Sequence, residues 1–347
     1  MRSLLLNLLL PVVFCLLLTA CERRPLRDAN GPTEFRVRIL TDGISNVTCD
    51  HYNPTLTPPT ITSDVARLML FDPVTNQLLS QGFTSEKQIE QGVEVLSRQI
   101  ILPAGDYRVL GYNFDLTNTK VDGENHHTTL RAYTDEISTA LYARVGSRAE
   151  ALGKIYHEPE HVLVARKEQL HIANQTEVQR VELDARTVVD TYYIQIRVKG
   201  MEYLAAKANG IAILSGLAPS VWLGTGTPNH EESAAIYFEL LKGTDPKIEE
   251  ENQDVLYAVF NTFGRIPEQA SELQINLTVL ARDGSKYEKV VDMEPIFASE
   301  DARERHWLLI DEVWEIPKPQ GDGDGGFTPA VDDWEDVEEV IPIGPNS

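Results

Sequence analysis

The chain has few cysteines: three among its 347 residues, Cys15, Cys21 and Cys49. Cys15 lies inside an apolar N-terminal run and Cys21 ends it, which leaves Cys49 alone in the body of the chain. One remaining cysteine excludes a framework of disulfide bonds. A single cysteine in this position is more often a small buried apolar residue than a reactive thiol.

Basic residues are also scarce, with 31 Lys and Arg against 53 Asp and Glu and a formal net charge of −22. Such a chain repels nucleic acid and anionic membranes, so no nucleic-acid partner is expected, and the acidic surface favours solubility outside the cell. Long apolar runs are missing after residue 20, and the sequence therefore predicts no later segment that spans a membrane.

The N-terminal run, MRSLLLNLLLPVVFCLLLTAC, predicts a signal peptide over residues 1–20. Its end, Leu18-Thr19-Ala20-Cys21, resembles the lipobox of bacterial lipoproteins, in which the cysteine becomes the acylated N-terminus. We therefore expect lipid attachment at Cys21 and a tether over 21–33. Each buried CH₂ contributes about 0.8 kcal/mol, so acyl chains on one cysteine hold a domain on a bilayer. An ordinary secretory signal without a lipid is the alternative.

The rest of the chain consists of short β-type runs separated by Gly, Pro, Asn and Asp. VVDTYYIQIRVKG alternates β-branched and aromatic residues, and Asp283-Gly284 marks a hairpin turn between two alternating runs. This pattern predicts an all-β fold of sandwich type. The length predicts two domains, which we place at 34–172 and 173–317.

The C-terminal segment, 318–347, has a different composition. A Gly-rich linker, KPQGDGDGGF, precedes an acidic stretch with a few apolar residues. One prediction is a disordered acidic tail. The other is a strand that adds to a sheet edge, in its own chain or in a partner. The candidate residues for that strand are Trp334, Val337, Val340, Ile341 and Ile343.

HEPEH, residues 157–161, matches the H-E-x-x-H signature of zinc proteases. That chemistry needs both histidines on one continuous helix. Pro159 disfavours a helix by about 3 kcal/mol, and the following HVLVAR favours a strand. In an extended chain His157 and His161 lie roughly 13 Å apart. We therefore predict neither a metal site nor a catalytic residue here, and no cofactor is expected elsewhere.

Several stretches resemble a known group of proteins: LPAGDYRVLGYN, YYIQIRVKG, ILSGLAPSVWLGTG and HWLLIDEVWEIP. In this order they are similar to the fimbrillin-A-associated anchor and minor fimbrial subunit families of Bacteroidetes-type bacteria. The resemblance implies two tandem transthyretin-like (Greek-key) β-sandwich domains and an N-terminal lipid. It also implies strand exchange with fimbrillin-like protein subunits at the outer membrane.

The resemblance favours a fimbrial anchor or accessory subunit at the cell surface. Because only Glu22 is acidic directly after Cys21, a location on the periplasmic face of the outer membrane remains an alternative to the cell surface. The alternative function is a surface lipoprotein that binds a glycan or another ligand, with Trp222, Trp314 and Trp334 as stacking candidates. Two of these, Trp222 and Trp314, fit a protein core better. A zinc hydrolase is the third and weakest hypothesis.

Overall fold

The fold is built almost entirely of β-strands, as the computed structural model shows over residues 32–41, 61–84, 86–147, 152–267 and 272–318. The helices that the structure describes over their whole length are α1 (Thr139–Arg144), α2 (Glu294–Phe297), α3 (Glu300–Arg305) and a 3₁₀ turn, Met201–Tyr203. No helix in these ranges is long and apolar enough to cross a membrane. The predicted all-β class is confirmed.

The first sheet has eight strands in the order β3-β2-β6-β10-β11-β1-β5-β4. Their bounds are β1 (Pro32–Ile39), β2 (Ala66–Phe71), β3 (Leu78–Phe83), β4 (Glu86–Glu90), β5 (Val93–Ile101), β6 (Gly105–Asn113), β10 (Leu163–Ile172) and β11 (Gln179–Thr187). Phe35 and Leu70, from strands far apart in this order, are fully buried in one core. That core takes its residues from this sheet and its loops, so the sheet curls over and covers its own inner face.

The second sheet has the order β19-β18-β13-β16-β17-β12-β20, and β9 pairs with β16 beside this path. Its strands are β9 (Ile155–His157), β12 (Asp190–Lys199), β13 (Gly210–Leu217), β16 (Ala234–Thr244), β17 (Asp254–Thr262), β18 (Gln274–Leu280), β19 (Lys286–Asp292) and β20 (Trp307–Glu315). Alternate residues of β12, Ile194 and Ile196, are fully buried in its core. The α2 and α3 helices connect β19 to β20.

A small third sheet lies between the two large ones, in the order β15-β14-β8-β7. It consists of β7 (Thr119–Asp122), β8 (Arg131–Thr134), β14 (Ser220–Trp222) and β15 (Thr227–Pro228). Leu130 and Val221 from this region share a buried cluster with Met69 and Tyr112, from the outer face of the first sheet, and with Phe263. The two halves of the chain are therefore joined by a continuous apolar core.

The sheets place the end of the first unit later than the boundary predicted at 172/173. β11 pairs in parallel with β1 from Thr33–Gln179 to Ile39–Ala185, so the first sheet extends to Thr187. The next strand, β12 of the second sheet, begins at Asp190. The connection is thus 188–189, while the division into two domains itself stays a prediction. After β12 the segment MEYLAAKANG contains only the 3₁₀ turn, and Ala205 N then donates to Leu280 O, which holds the chain against the sheet.

Candidate functional site: the domain junction and the sheet edges

HEPEH forms the crossing between the two large sheets. His157 is the last residue of β9, which pairs with β16 of the second sheet. The next strand, β10, begins at Leu163 in the first sheet. The residues between them lie outside any helix, so the two histidines do not occupy successive turns of a helix, and the geometry that a zinc protease needs is missing.

His161 is held between two hydroxyl groups. Its Nδ1 lies 3.1 Å from Thr187 Oγ1, and its Nε2 lies 3.2 Å from Thr191 Oγ1. Burial lowers the pKa of His161 to about 4, because a charged imidazole loses its hydration there. Both ring nitrogens thus have partners, and the ring is neutral at pH 7. Within the described ranges, no group of three or more His, Cys, Asp or Glu could hold a metal ion.

The two glutamates of HEPEH accept hydrogen bonds from the main chain. Glu158 Oε2 accepts from Asn261 N, at 2.9 Å, on a strand of the second sheet. Burial raises the pKa of Glu158 to about 7. The carboxylate of Glu160 accepts from the N–H groups of residues 117–119, at 2.7 to 3.1 Å. HEPEH therefore fixes neighbouring segments at the junction.

The tryptophans proposed as stacking surfaces are not well placed for that role. Trp314 is only 7% exposed and belongs to the second core, and Trp222 is half-buried on β14. Trp334 lies outside the described residues. An exposed aromatic pair occurs instead at Phe83 and Phe114, which are 40% and 46% exposed. Their ring centroids are 4.8 Å apart.

Arg67 lies against this aromatic pair. Its guanidinium carbon is 5.8 Å from the centroid of Phe83 and 5.5 Å from that of Phe114. The same guanidinium forms an ion pair with Glu124 and donates to Tyr112 Oη at 3.2 Å. Apolar rings thus lie next to an ion pair and a hydrogen-bonded phenol on the outer face of the first sheet.

The edges of the sheets differ in charge. Edge strands expose unpaired main-chain groups, and charged side chains normally protect them from pairing with other chains. β4 has the sequence EKQIE, and β19 has KYEKVVD. On β19, Lys289 reaches the opposite edge strand, β20, where its Nζ lies 3.1 Å from Glu312 Oε1. Both ends of the second sheet therefore carry this protection.

On β3 the protection comes from elsewhere in the chain: Arg98 Nη1 donates to Phe83 O at 2.6 Å, and Leu78 N donates to Asn125 O at 3.0 Å. Its sequence, LLSQGF, contains no charged residue and no proline, and Leu79 on it is 54% exposed. This edge was not predicted from the sequence. LLSQGF contains nothing to show whether it is an edge or a central strand, and the missing charge is informative only once the sheet order is known.

The site residues predicted from the sequence cannot be placed on this surface. The lipid-attachment residue Cys21 lies outside the described residues, as does the whole group of candidate strand residues, Trp334, Val337, Val340, Ile341 and Ile343. Both sets stay predictions.

Comparison with known proteins gives matches over different parts of the chain. Residues 84–239 match the family described as a domain of unknown function, DUF5119. A Bacteroides ovatus protein named "Putative fimbrium anchoring subunit Fim4B" is 22% identical over 360 residues, which cover 94% of this chain and 95% of that protein.

A solved structure from Bacteroides ovatus shares the fold of this chain. The crystal structure of a protein from Bacteroides ovatus described as a "putative adhesin" has a TM-score of 0.57 and 21% sequence identity. The match covers 86% of this chain and 98% of that one. The resemblance expected from the sequence is confirmed: this chain is a homologue of a protein named as a fimbrial anchor of Bacteroidetes.

Proposed function

We propose that this chain is a lipid-anchored fimbrial anchor or accessory subunit of the bacterial outer membrane. In this proposal it assembles with fimbrillin-like subunits by adding β-strands. The observation that carries the proposal is the similarity, over almost the whole length of both chains, to a protein named as a fimbrium anchoring subunit. The edge strand β3, which carries no charged residue of its own, supports strand addition, because an edge strand is where another chain can pair.

The lipid in this proposal is attached to Cys21 and places the protein on the cell surface. Metabolic labelling with an alkyne palmitate analogue in a Bacteroides host tests the attachment. We expect label on the wild-type chain and on Cys49→Ala, and none on Cys21→Ala. Label retained by Cys21→Ala would refute the lipid anchor.

Location and partners need separate measurements on cells that express the labelled protein. Protease added to intact cells should degrade a surface protein, whereas a chain on the periplasmic face stays protected until the cells are lysed. Cross-linking followed by purification and mass spectrometry should recover fimbrillin-like subunits. Complete protection in intact cells, together with no such subunit, would exclude the anchor function.

The alternative function is a surface lipoprotein that binds a glycan, and Phe83 and Phe114 are the observation in its favour. Exposed aromatic rings next to hydrogen-bonding groups such as Gln81 are suited to a sugar ring. A glycan array should then show binding that is lost in Phe114→Ala and kept in Val74→Ala, since Val74 is exposed in a turn before β3. No binding by the wild-type chain would eliminate this alternative.

A further inference from the structure

The chain enters the first sheet at Pro32, and three connections between strands lie at the same end of that sheet. Pro32 pairs with Ile101, the last residue of β5, and the next residue of β1 pairs with the first residue of β11. The last residue of β10 pairs with the first residue of β6. The loops 102–104 and 173–178 are therefore beside the entry of the chain. The turn 72–77 is there too, since the last residue of β2 pairs near the start of β6. We call this surface the entry end.

The three connections of the entry end are close together because the first sheet is curved. β5 and β6 are four positions apart in the strand order, which would separate them by about 19 Å in a flat sheet. The loop 102–104 joins them nevertheless, and the four residue steps between the strands span at most about 14 Å. β2 is the direct neighbour of β6, so its turn belongs to the same small surface.

Each of these connections has an exposed aliphatic side chain in it or directly beside it. Val74 is 86% exposed and Ile101 is 73% exposed, the two highest values among the large apolar residues that the structure describes. Val178, in the third connection, is 46% exposed. A single exposed apolar residue is ordinary on a protein surface, but three on one small surface indicate contact with another surface.

The entry end is also poor in charge, although the chain as a whole has a net charge of −22. Its three connections contain two charged residues, Asp72 and Glu177. The carboxylate of Asp72 accepts from two N–H groups of its own turn, at 2.8 and 2.7 Å. Asp64 and Asp115 are exposed at the opposite end of the sheet, where β2 begins and β6 ends. An anionic bilayer repels the acidic body of the protein, so it favours an orientation in which the entry end faces the lipid.

The position of Cys21 favours a bilayer over a protein as the surface that covers the entry end. Eleven residue steps separate Cys21 from Pro32, and they span at most about 40 Å. A lipid on Cys21 thus keeps the entry end near the membrane, whereas β11 leads into the second sheet at the opposite end. Three aliphatic side chains offer far less than the roughly 800 Å² that each partner contributes to a stable protein interface. They are sufficient beside a lipid anchor, because the anchor already holds the domain at the surface.

We propose that the entry end, with Val74, Ile101 and Val178, lies against the headgroup region of the bilayer that holds the lipid anchor. The inference rests on the lipid anchor of the proposed function and adds an orientation to it. β1 runs away from the membrane, and the second sheet lies beyond the far end of the first sheet, where partner proteins can reach it.

Photo-crosslinking on vesicles of phosphatidylethanolamine and phosphatidylglycerol tests this contact. The chain from residue 21 onward with Cys49→Ala has one thiol, Cys21, which is coupled to a maleimide phospholipid in the vesicles. p-Benzoylphenylalanine is placed at position 74, 101 or 178, and mass spectrometry quantifies lipid adducts after irradiation. We expect roughly five times as much adduct at each position as at position 89. Ile89 is the matched control, since it is 72% exposed and lies level with Ile39, at the far end of β1.

A second set of variants separates apolar contact from the proximity that a short tether alone would give. Val178→Asp should reduce the lipid adduct at position 101 roughly threefold, because anionic headgroups repel a carboxylate. Ile89→Asp should leave that adduct unchanged. Circular dichroism identifies a variant that fails to fold, and Val74→Asp decides the outcome if Val178→Asp does fail.

Three results would overturn the proposal. They are equal lipid adducts at positions 101 and 89, adducts to a second copy of the chain in place of lipid, and an adduct at position 101 that the aspartate variants of the entry end do not reduce. Because the coupling to Cys21 is chemical, none of these results depends on acylation in cells. The palmitate labelling of Cys21 decides that part of the proposed function separately.

Discussion

The carboxyl group of Glu158 should make the stability of this protein depend on pH. The group lies at the domain junction, where burial raises its pKa from an ordinary value near 4.5 to about 7. Below pH 4.5 the group is protonated in both the folded and the unfolded chain. Between pH 4.5 and 7 only the unfolded chain releases the proton, so this contribution to stability is lost as pH rises and stays lost above pH 7.

The size of the effect follows from the shift. One pKa unit corresponds to about 1.4 kcal/mol, so the full shift from 4.5 to about 7 sets an upper bound of about 3.5 kcal/mol. Because the side chain is half-buried, we expect about 1–3 kcal/mol. Glu158→Gln keeps an oxygen that can accept from Asn261 N but has no proton to release. The variant should thus gain stability relative to the wild type as pH rises from 5 to 8.

Urea unfolding at pH 5, 6, 7 and 8 measures this difference. His161 acts in the opposite direction: its pKa is lowered to about 4, so stability is lost as pH falls below 6.5. That contribution is common to both chains and cancels in the comparison. Glu177→Gln, in an exposed loop, provides the control and should show no pH-dependent difference. An equal difference between Glu158→Gln and wild type at pH 5 and pH 8 would refute the reasoning.

Three further outcomes follow from the packing. In thermal unfolding, Gly200→Ala should destabilise the fold more than Gly284→Ala. Both glycines have a positive φ, which costs an alanine about 1–2 kcal/mol. Only at Gly200 would the added Cβ also lie 2.5 Å from Ile316 O, which is a steric clash. Leu70→Ala should reduce the free energy of unfolding by about 2–5 kcal/mol, since Leu70 is fully buried in the first core; a loss below 1 kcal/mol in urea would contradict this packing. His157→Ala should leave the zinc content of purified protein unchanged by elemental analysis, and a stoichiometric loss would restore the zinc-site hypothesis.

The strands were predictable from the sequence because alternation is a local signal. β12 alternates β-branched and aromatic residues, and the hairpin between β18 and β19 follows from Asp283-Gly284. Pro159 correctly excluded a helix at HEPEH. These conclusions depend on the backbone chemistry of a few adjacent residues, which the sequence displays directly.

Strand partners were not predictable in the same way. β11 belongs to the first sheet because it pairs with β1, about 146 residues earlier, at Arg180 and Glu34. β9 lies in the first half of the chain but pairs with β16 of the second sheet. Neither pairing leaves a local pattern, and the boundary at 172/173 was therefore placed too early for the first sheet. The edge position of β3 could not be predicted for the same reason, since a strand is an edge strand only by reference to the sheet order.

The HEPEH sequence resembles a zinc motif because a chain that crosses between two sheets needs the same kinds of side chain. At a crossing, main-chain N–H groups lose the ladder partners that a strand provides, and buried polar groups need replacements. Glu160 supplies acceptors to three consecutive N–H groups, and Glu158 supplies one to Asn261. His161 engages the hydroxyls of Thr187 and Thr191 on either side of the connection at 188–189. The two carboxylates and the His161 imidazole, which would take part in metal chemistry on a helix, serve here as hydrogen-bond partners, which is why the motif fixes a junction.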